Sequence, residues 1–486
     1  MESVIKKNSV NTRDRGEDRG ARARAGTAVI PETLCPHSEF CGGCIHQGQS
    51  YEEQLTGKEE EVLRLFKNAG LSPERFDPIS GCPEEYRFAY RNKMEYTFGD
   101  LVKGGELTLG MHRRKMFMSV VTVDHCQLVD PDFNRILRCT LDFCIARAYP
   151  KYHKKTHTGL LRNLIIRKGQ RTNELLVNIV TSSQADFDEV AWTKELLALP
   201  LGNKIVGIMH TLNDGIADAV KCDELRVLYG RDYYMEEIFG LKFRVNIFSF
   251  FQTNVEAVER LYSRAIDLID DFSGKNVLDL YCGTGTISQV MALKAGHVLG
   301  IELVPESVES ARRNAAINGL ANCEFACGDV FEVLDSLDFQ GFGARSGAVG
   351  ASSNRTDLES DGAVSTGAES VGAGSASVEF ADRGIVSIKS IGSETVGAGT
   401  DGIDRKQPDV IVVDPPRAGM TPNAVDKIVS YGVPQIVYIS CNPKTLVKNL
   451  VQFTESGYEV KYVKPYDNFP MTRHVETVVL LSRKAD

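Results

Sequence analysis

"NVLDLYCGTGTISQVMA", residues 276–292, reads as an apolar strand, a glycine turn and then a helix. Gly283 and Gly285 let the backbone come close to a ligand, and Thr286 begins the helix. A dinucleotide fingerprint would place a third glycine where Ser288 stands, which disfavours a nicotinamide cofactor. The following strand, "HVLGIEL", ends in Glu302, about twenty residues after Gly283. A carboxylate at that point can accept hydrogen bonds from both hydroxyls of an adenosine ribose.

Outward from this unit, strands and helices alternate after Val255, the signature of a parallel sheet covered by helices on both faces. "PDVIVVDPPRAGM" ends a strand in Asp414, and "VYISCNPKTLVKNL" (437–450) ends another just before Cys441, with an amphipathic helix over Thr445 to Leu450. Ligands of open α/β sheets bind at such strand ends. Residues 340–407 break the alternation. They are rich in Gly, Ser and Ala with a loose VGAG recurrence, too poor in apolar residues to offset their ordering entropy, and predict a flexible insertion in a surface loop. Within them "VEF" and "GIVSIKSIG" leave room for a weak hairpin. Upstream, residues 86 to 245 alternate short apolar runs with turn residues, predicting a β-rich domain. The expected organisation is a disordered Arg-bearing tail (1–34), a β-rich central domain (35–51 and 85–248) and an α/β domain (249–486). A helical segment (52–84) is expected to pack on the last of these.

The chain has 486 residues, 42% hydrophobic and 25% charged, which suits roughly two to three domains with substantial cores. No apolar run approaches the roughly 20 residues that would cross a bilayer, and the charged N-terminus lacks a signal core, so no membrane association and a cytoplasmic location are expected. The net charge of -9 argues against indiscriminate coating of nucleic acid but not against a local basic face. Residues 145–173 contain eight Lys and Arg and no Asp or Glu, with Tyr149, Tyr152, His153 and His157 interspersed. That mixture suits RNA phosphates and unstacked bases as well as an ordinary solvated surface.

The strand, turn and acid arrangement resembles the class I S-adenosylmethionine-dependent methyltransferases, a Rossmann-like fold; the resemblance would set Asp329 near the adenine. Amine-methylating members of that class carry an aromatic residue after D-P-P, but Arg417 stands there, which weakens amine methylation as the chemistry. "FFQTN", "DLYCGTGT", "GIELVPESV", "DPPRAG", "SCNPKT" and "MTRHVETV", in this order, resemble the RNA uracil-5-methyltransferase family over residues 35–335 and 408–486. Carbon 5 of uracil is a poor nucleophile. Methylating it demands a thiolate that adds to carbon 6 and a base that later removes the carbon 5 proton. Cys441 suits the first role, and Glu476, interrupting the apolar terminal strand beside His474, suits the second. The resemblance further implies that Gln252, Tyr281, Glu302 and Asp414 contact S-adenosylmethionine, with Asp414 near the uracil and Arg417 near the RNA.

Of the twelve cysteines, Cys35, Cys41 and Cys44 cluster as C-x5-C-x2-C, and Cys126 in "VDHCQLVDP" is the later cysteine in a comparable polar setting. Four thiolates suit structural zinc or an iron-sulfur cluster. In the resembled family a similar set holds a [4Fe-4S] cluster in the 23S ribosomal RNA branch, which tilts the expected substrate from transfer RNA towards 23S ribosomal RNA. No protein partner is evident from the sequence. The remaining alternative is an RNA-binding factor without catalysis.

Overall fold

The computed structural model describes residues 34–216, 220–330, 332–333, 386–389 and 408–484. The expected tail up to residue 33 and most of the expected insertion lie outside the described residues.

Helix α1 (Tyr51–Asn68) starts at a capping box, with Ser50 and Glu53 satisfying one another's backbone N–H groups. A two-residue strand, β1 (Arg75–Phe76), follows. The central sheet is built from β2 (Lys93–Asp100), β3 (Leu107–Arg113), β4 (Met116–Thr122), β5 (Leu161–Gly169), β6 (Glu174–Thr181), β7 (Lys204–Leu212) and β8 (Glu224–Gly230). Helices α2 (Pro131–Ala146) and α3 (Glu189–Leu197) cover one face, where Phe133, Leu137, Trp192 and Leu196 pack against Leu164, Val177 and Ile208. A hairpin, β9 (Tyr233–Ile238) and β10 (Leu241–Asn246), and helix α4 (Val255–Asp267) then lead into the second sheet.

That sheet uses β11 (Asn276–Leu280), β12 (His297–Glu302) and β13 (Cys323–Cys327), with helices α5 (Thr286–Ala292) and α6 (Pro305–Ile317) between them. Strand β14 (Val386–Lys389), inside the expected flexible insertion, pairs antiparallel with β8 and extends the central sheet instead, in keeping with the strand preference of its Val and Ile. The second sheet continues with β15 (Val410–Val413), β16 (Gln435–Ser440), β17 (Tyr458–Tyr466) and β18 (Glu476–Arg483), alternating with α7 (Pro422–Ser430) and α8 (Pro443–Glu455). Its order is β1-β17-β18-β16-β15-β11-β12-β13. All its pairings are parallel except those of β18. Strand order reverses between β11 and β15, the switch point at which a crevice opens beyond the carboxyl ends of the strands.

Although early in the chain, α1 packs its Val62 and Phe66 into the core that holds Leu280, Ile411 and Tyr438 of the second sheet. Lys58 of this helix donates to Asp467 at 2.7 Å and Tyr51 Oη donates to the same carboxylate at 2.9 Å. Lys58 and Asp467 are both buried, so the pair fixes the helix against the segment that leads into β18.

Candidate active site

The crevice side of the second sheet collects the residues that the sequence singled out. Ser440 pairs with Thr477 across the antiparallel β16–β18 ladder, so the next positions, Cys441 and Glu476, face one another at the rim. Cys441 leaves β16 in a turn whose Asn442 caps α8, its side chain accepting from the Lys444 N–H. Asn442 Nδ2 and Thr445 Oγ1 both donate to the Arg417 carbonyl, at 2.9 and 3.2 Å, locking the D-P-P-R loop against the cysteine turn. The Arg417 guanidinium is 3.2 Å from His474 Nε2. That nitrogen must act as the acceptor, because a guanidinium only donates.

The pocket gathers a thiol and two carboxyls, whose burial opposes their ionisation, beside cationic side chains. Burial, then the neighbouring carboxylates of Glu476 and Asp414, pushes the Cys441 thiol up to about 11, while the hydrogen-bonding Arg417 pulls it down. Burial and Asp414 push Glu476 up to about 8, and burial pushes Asp414 up to about 7. Burial followed by Arg417, Arg473, Arg91 and Lys58 holds His474 down to about 4, so it is a neutral imidazole at physiological pH. Such displaced values gathered in one cleft mark a reactive site.

Beside this pocket lies the glycine turn. Gly283 and Gly285 have φ of 56° and 72°, and a Cβ on Gly285 would come within 2.6 Å of the Phe325 ring, so the turn requires glycine there. Tyr281 also has a positive φ, 65°. Its hydroxyl is raised by burial and then by the charge of Asp329. Both oxygens of the Glu302 carboxylate accept backbone N–H groups, from Gly283 and from Val304, each at 3.0 Å. Gln252 donates to Tyr262 Oη at 3.1 Å, and the Tyr262 hydroxyl is raised by burial and by Asp414, which ties the "FFQTN" loop to the same crevice. Asn92 of the central domain holds that loop, donating to the Gln252 carbonyl at 2.9 Å. This crevice can therefore seat an adenosine-bearing cofactor beside Glu302 and present its reactive end towards Asp414 and Cys441.

The four cysteines of the N-terminal set form a separate group. Cys35, Cys41, Cys44 and Cys126 line one cavity with His37, Gln47 and Arg91. Burial and the other thiols raise Cys44 to about 12 and Cys126 to about 11, while Cys41 is also raised and accepts the Gly43 N–H at 3.4 Å. Crowded, desolvated thiols that oppose one another's ionisation fit a site completed by a cation or cationic cluster. The loop bearing three of them reaches the crevice, where the Ile45 N–H donates to the Met471 carbonyl at 2.9 Å.

In the basic stretch 145–173 most cations are paired with carboxylates or backbone carbonyls of other segments. Lys151 pairs with Asp100, Lys168 with Asp130, Arg171 with Glu256 and Glu259, and Arg147 with Asp188 and Glu195. Arg162 and Arg167 are buried and donate to backbone carbonyls. These partners come from other segments, so the local absence of acids is compensated in three dimensions. Sequence reasoning also missed Asn92, Tyr262, and the Lys58–Asp467 pair. No local signal marks them, since each meets its partner from a distant part of the chain.

A family profile described as tRNA (Uracil-5-)-methyltransferase matches residues 400–484, and one described as Methyltransferase domain matches residues 271–343. Uncharacterized RNA methyltransferases of Clostridium tetani and Caldanaerobacter subterraneus are 42% and 40% identical, over 93% of this chain and 84% and 85% of theirs. The crystal structure of Pyrococcus abyssi tRNA (uracil-54, C5)-methyltransferase in complex with S-adenosyl-L-homocysteine shares the fold, with a TM-score of 0.62 at 21% identity, over 91% of this chain and 84% of that one.

Proposed function

The chain belongs to the RNA uracil-5-methyltransferase family, and from that premise we propose that it methylates carbon 5 of a uridine in 23S ribosomal RNA through a covalent bond between Cys441 and carbon 6. The observation that carries this reading is the β16–β18 register, which sets Cys441 opposite Glu476 with Asp414 beside them. An amine or ribose methyltransferase needs no thiol at that point.

S-adenosylmethionine, when bound, supplies an electrophilic methyl group. Glu302 would hold its ribose, Tyr281 and Gln252 would flank it, and Asp414 would lie at its reactive end and near the uracil. The Cys441 thiolate adds to carbon 6, forming an S–C bond and driving the ring electrons onto carbon 5, which takes the methyl group. Glu476 then accepts the carbon 5 proton, the electron pair restores the ring double bond, and the S–C bond breaks to return the thiolate. Arg417 stabilises negative charge on Cys441 and Glu476. The target base must leave its stack to reach this recessed pocket, which is cheapest in a loop or single strand.

The four-cysteine cavity supports a [4Fe-4S] cluster held by Cys35, Cys41, Cys44 and Cys126, and the cluster-bearing branch of the family favours ribosomal RNA. A transfer RNA substrate is the second reading, favoured by the tRNA (Uracil-5-)-methyltransferase profile that matches residues 400–484.

The test is mass spectrometry after incubation with S-adenosylmethionine and 5-fluorouridine-containing RNA. Fluorine cannot leave as a proton, so an adduct on Cys441 with a 23S ribosomal RNA fragment is the expected result. An adduct with transfer RNA alone would replace the substrate, and none with either RNA would sink the mechanism.

A further inference from the structure

At the free edge of the central sheet, β4 opens with three consecutive large apolar side chains that all reach solvent. Met116, Phe117 and Met118 are 48%, 60% and 53% exposed. A strand lying on its sheet alternates its side chains between faces, so three exposed in a row mean that the β3–β4 tip projects beyond the sheet. A contiguous exposed apolar patch is itself a sign of an interaction site.

The surroundings specify the partner. Residues 107–122 contain no Asp or Glu, and Arg113, Arg114 and Lys115 turn the hairpin. The His112 ring stacks on Phe117 at 4.5 Å, and Lys154 Nζ lies 4.6 Å from the centre of the same ring. Arg113 lies 5.2 Å over the half-exposed Phe40 ring, and Lys155 is exposed beside Lys154. Aromatic platforms interleaved with cations match unstacked bases and phosphates of a single strand.

The patch is also anchored to the catalytic crevice. Arg114 donates from its backbone to Phe40 and from its guanidinium to the Cys44 carbonyl, each at 2.8 Å, pinning the tip to the cysteine loop. That loop in turn bonds to Met471, close to His474. These hydrogen bonds therefore link the hairpin tip, through the cysteine loop, to the segment that bears His474 and Glu476.

Resting on the reading that the substrate is RNA, we propose that this hairpin patch docks single-stranded RNA flanking the target uridine. Phe117, with Met116 and Met118, receives an unstacked base, and Lys115 and Lys155 contact phosphates. Of the basic stretch 145–173, Lys154 and Lys155 lie at this patch, while most of its other cations are engaged internally.

Fluorescence anisotropy with an in-vitro transcript of 23S ribosomal RNA, repeated with transfer RNA, tests this on the full chain at several salt concentrations. Phe117→Ala should weaken binding about tenfold, the loss of one stacked base, with little change in salt slope. Lys115→Glu and Lys155→Glu, on separate loops, should each weaken binding and lower the slope by about one. Thermal melts and cofactor binding confirm the fold of each variant. Wild-type affinity and slope in all three variants for both RNAs would overturn the proposal, and would be the result if the patch docks a protein. If wild-type enzyme binds RNA without forming 5-methyluridine while these variants bind worse, the docking surface stands and the methylation reading falls.

Discussion

The Cys441 thiol and the Glu476 carboxyl share one pocket, where burial and then the Glu476 and Asp414 carboxylates raise the thiol, and burial and then Asp414 raise Glu476. Burial and Asp414 hold Glu476 up to about 8, so its base form grows as pH rises through that value. The turnover rate should therefore climb with pH there, and Asp414→Asn should move the limb to lower pH by removing the charge that holds Glu476 up. A pH profile of kcat at saturating cofactor checks both. Glu476→Gln should halt the cycle after methyl transfer, leaving enzyme covalently attached to RNA in a denaturing gel, whereas Cys441→Ala should give neither product nor adduct. Stability carries the opposite sign from activity. The folded carboxyls hold protons that the unfolded ones release from about 4 upward, so their contribution is present at low pH and lost as pH rises through about 7 to 8. The urea midpoint of the cofactor-free protein should fall over that range less in Glu476→Gln than in wild type.

Elements hold these residues in place through a few distant ties. The segment from Asp467 to Glu476 carries both His474 and the base, and Asp467 fixes its start by accepting from Lys58, Tyr51 and the Phe469 N–H. Lys58→Met would leave a buried carboxylate without its cation, at a cost of about 3–5 kcal/mol, and the loosened segment should also lower kcat. Urea unfolding and single-turnover kinetics report the two effects, and the double variant Lys58→Met with Asp467→Asn should recover part of the stability. The helix that follows the glycine turn is equally constrained. Gly285→Ala meets both a φ of 72° and the ring of Phe325, so about 1–3 kcal/mol of destabilisation and weaker S-adenosylmethionine binding are expected in a thermal melt and by equilibrium dialysis.

At the scale of the whole molecule, one interior connects the two sheets. Met209 and Tyr234 of the central domain share a core with Val277, Val412 and Val478 of the catalytic sheet. The four-cysteine cavity stitches the 35–44 loop to Cys126 and, through Met471, to the catalytic rim. On the proposal that these cysteines hold an iron-sulfur cluster, Cys126→Ser should abolish bound iron in a colorimetric assay and lower the melting temperature by roughly 5 °C, because a metal site closes loops that the sheet alone does not fix. S-adenosylmethionine binding should survive this change, since the glycine turn and Glu302 lie in the other domain.

The strand-turn-helix unit at 276–292, the acid at Glu302, and the cysteine at a strand end were legible in the sequence because they depend on neighbours within a few residues. Hydrophobic periodicity, a glycine pair and a strand boundary are local properties of the chain. What faces Cys441 was not local. Register between strands separated by dozens of residues set Glu476 opposite it, and packing drew Arg417 onto His474. The same distance hides the partners of the cations at 145–173, most of which meet carboxylates or carbonyls from other segments, and the exposure of Phe117 at the sheet edge. The sequence by itself determined the fold class and the chemical equipment of the site, since both follow from short-range pattern and residue type. Only the tertiary structure decided which groups meet, which charges remain for RNA and which proton each group holds, because those depend on distances and burial that pairing and packing create.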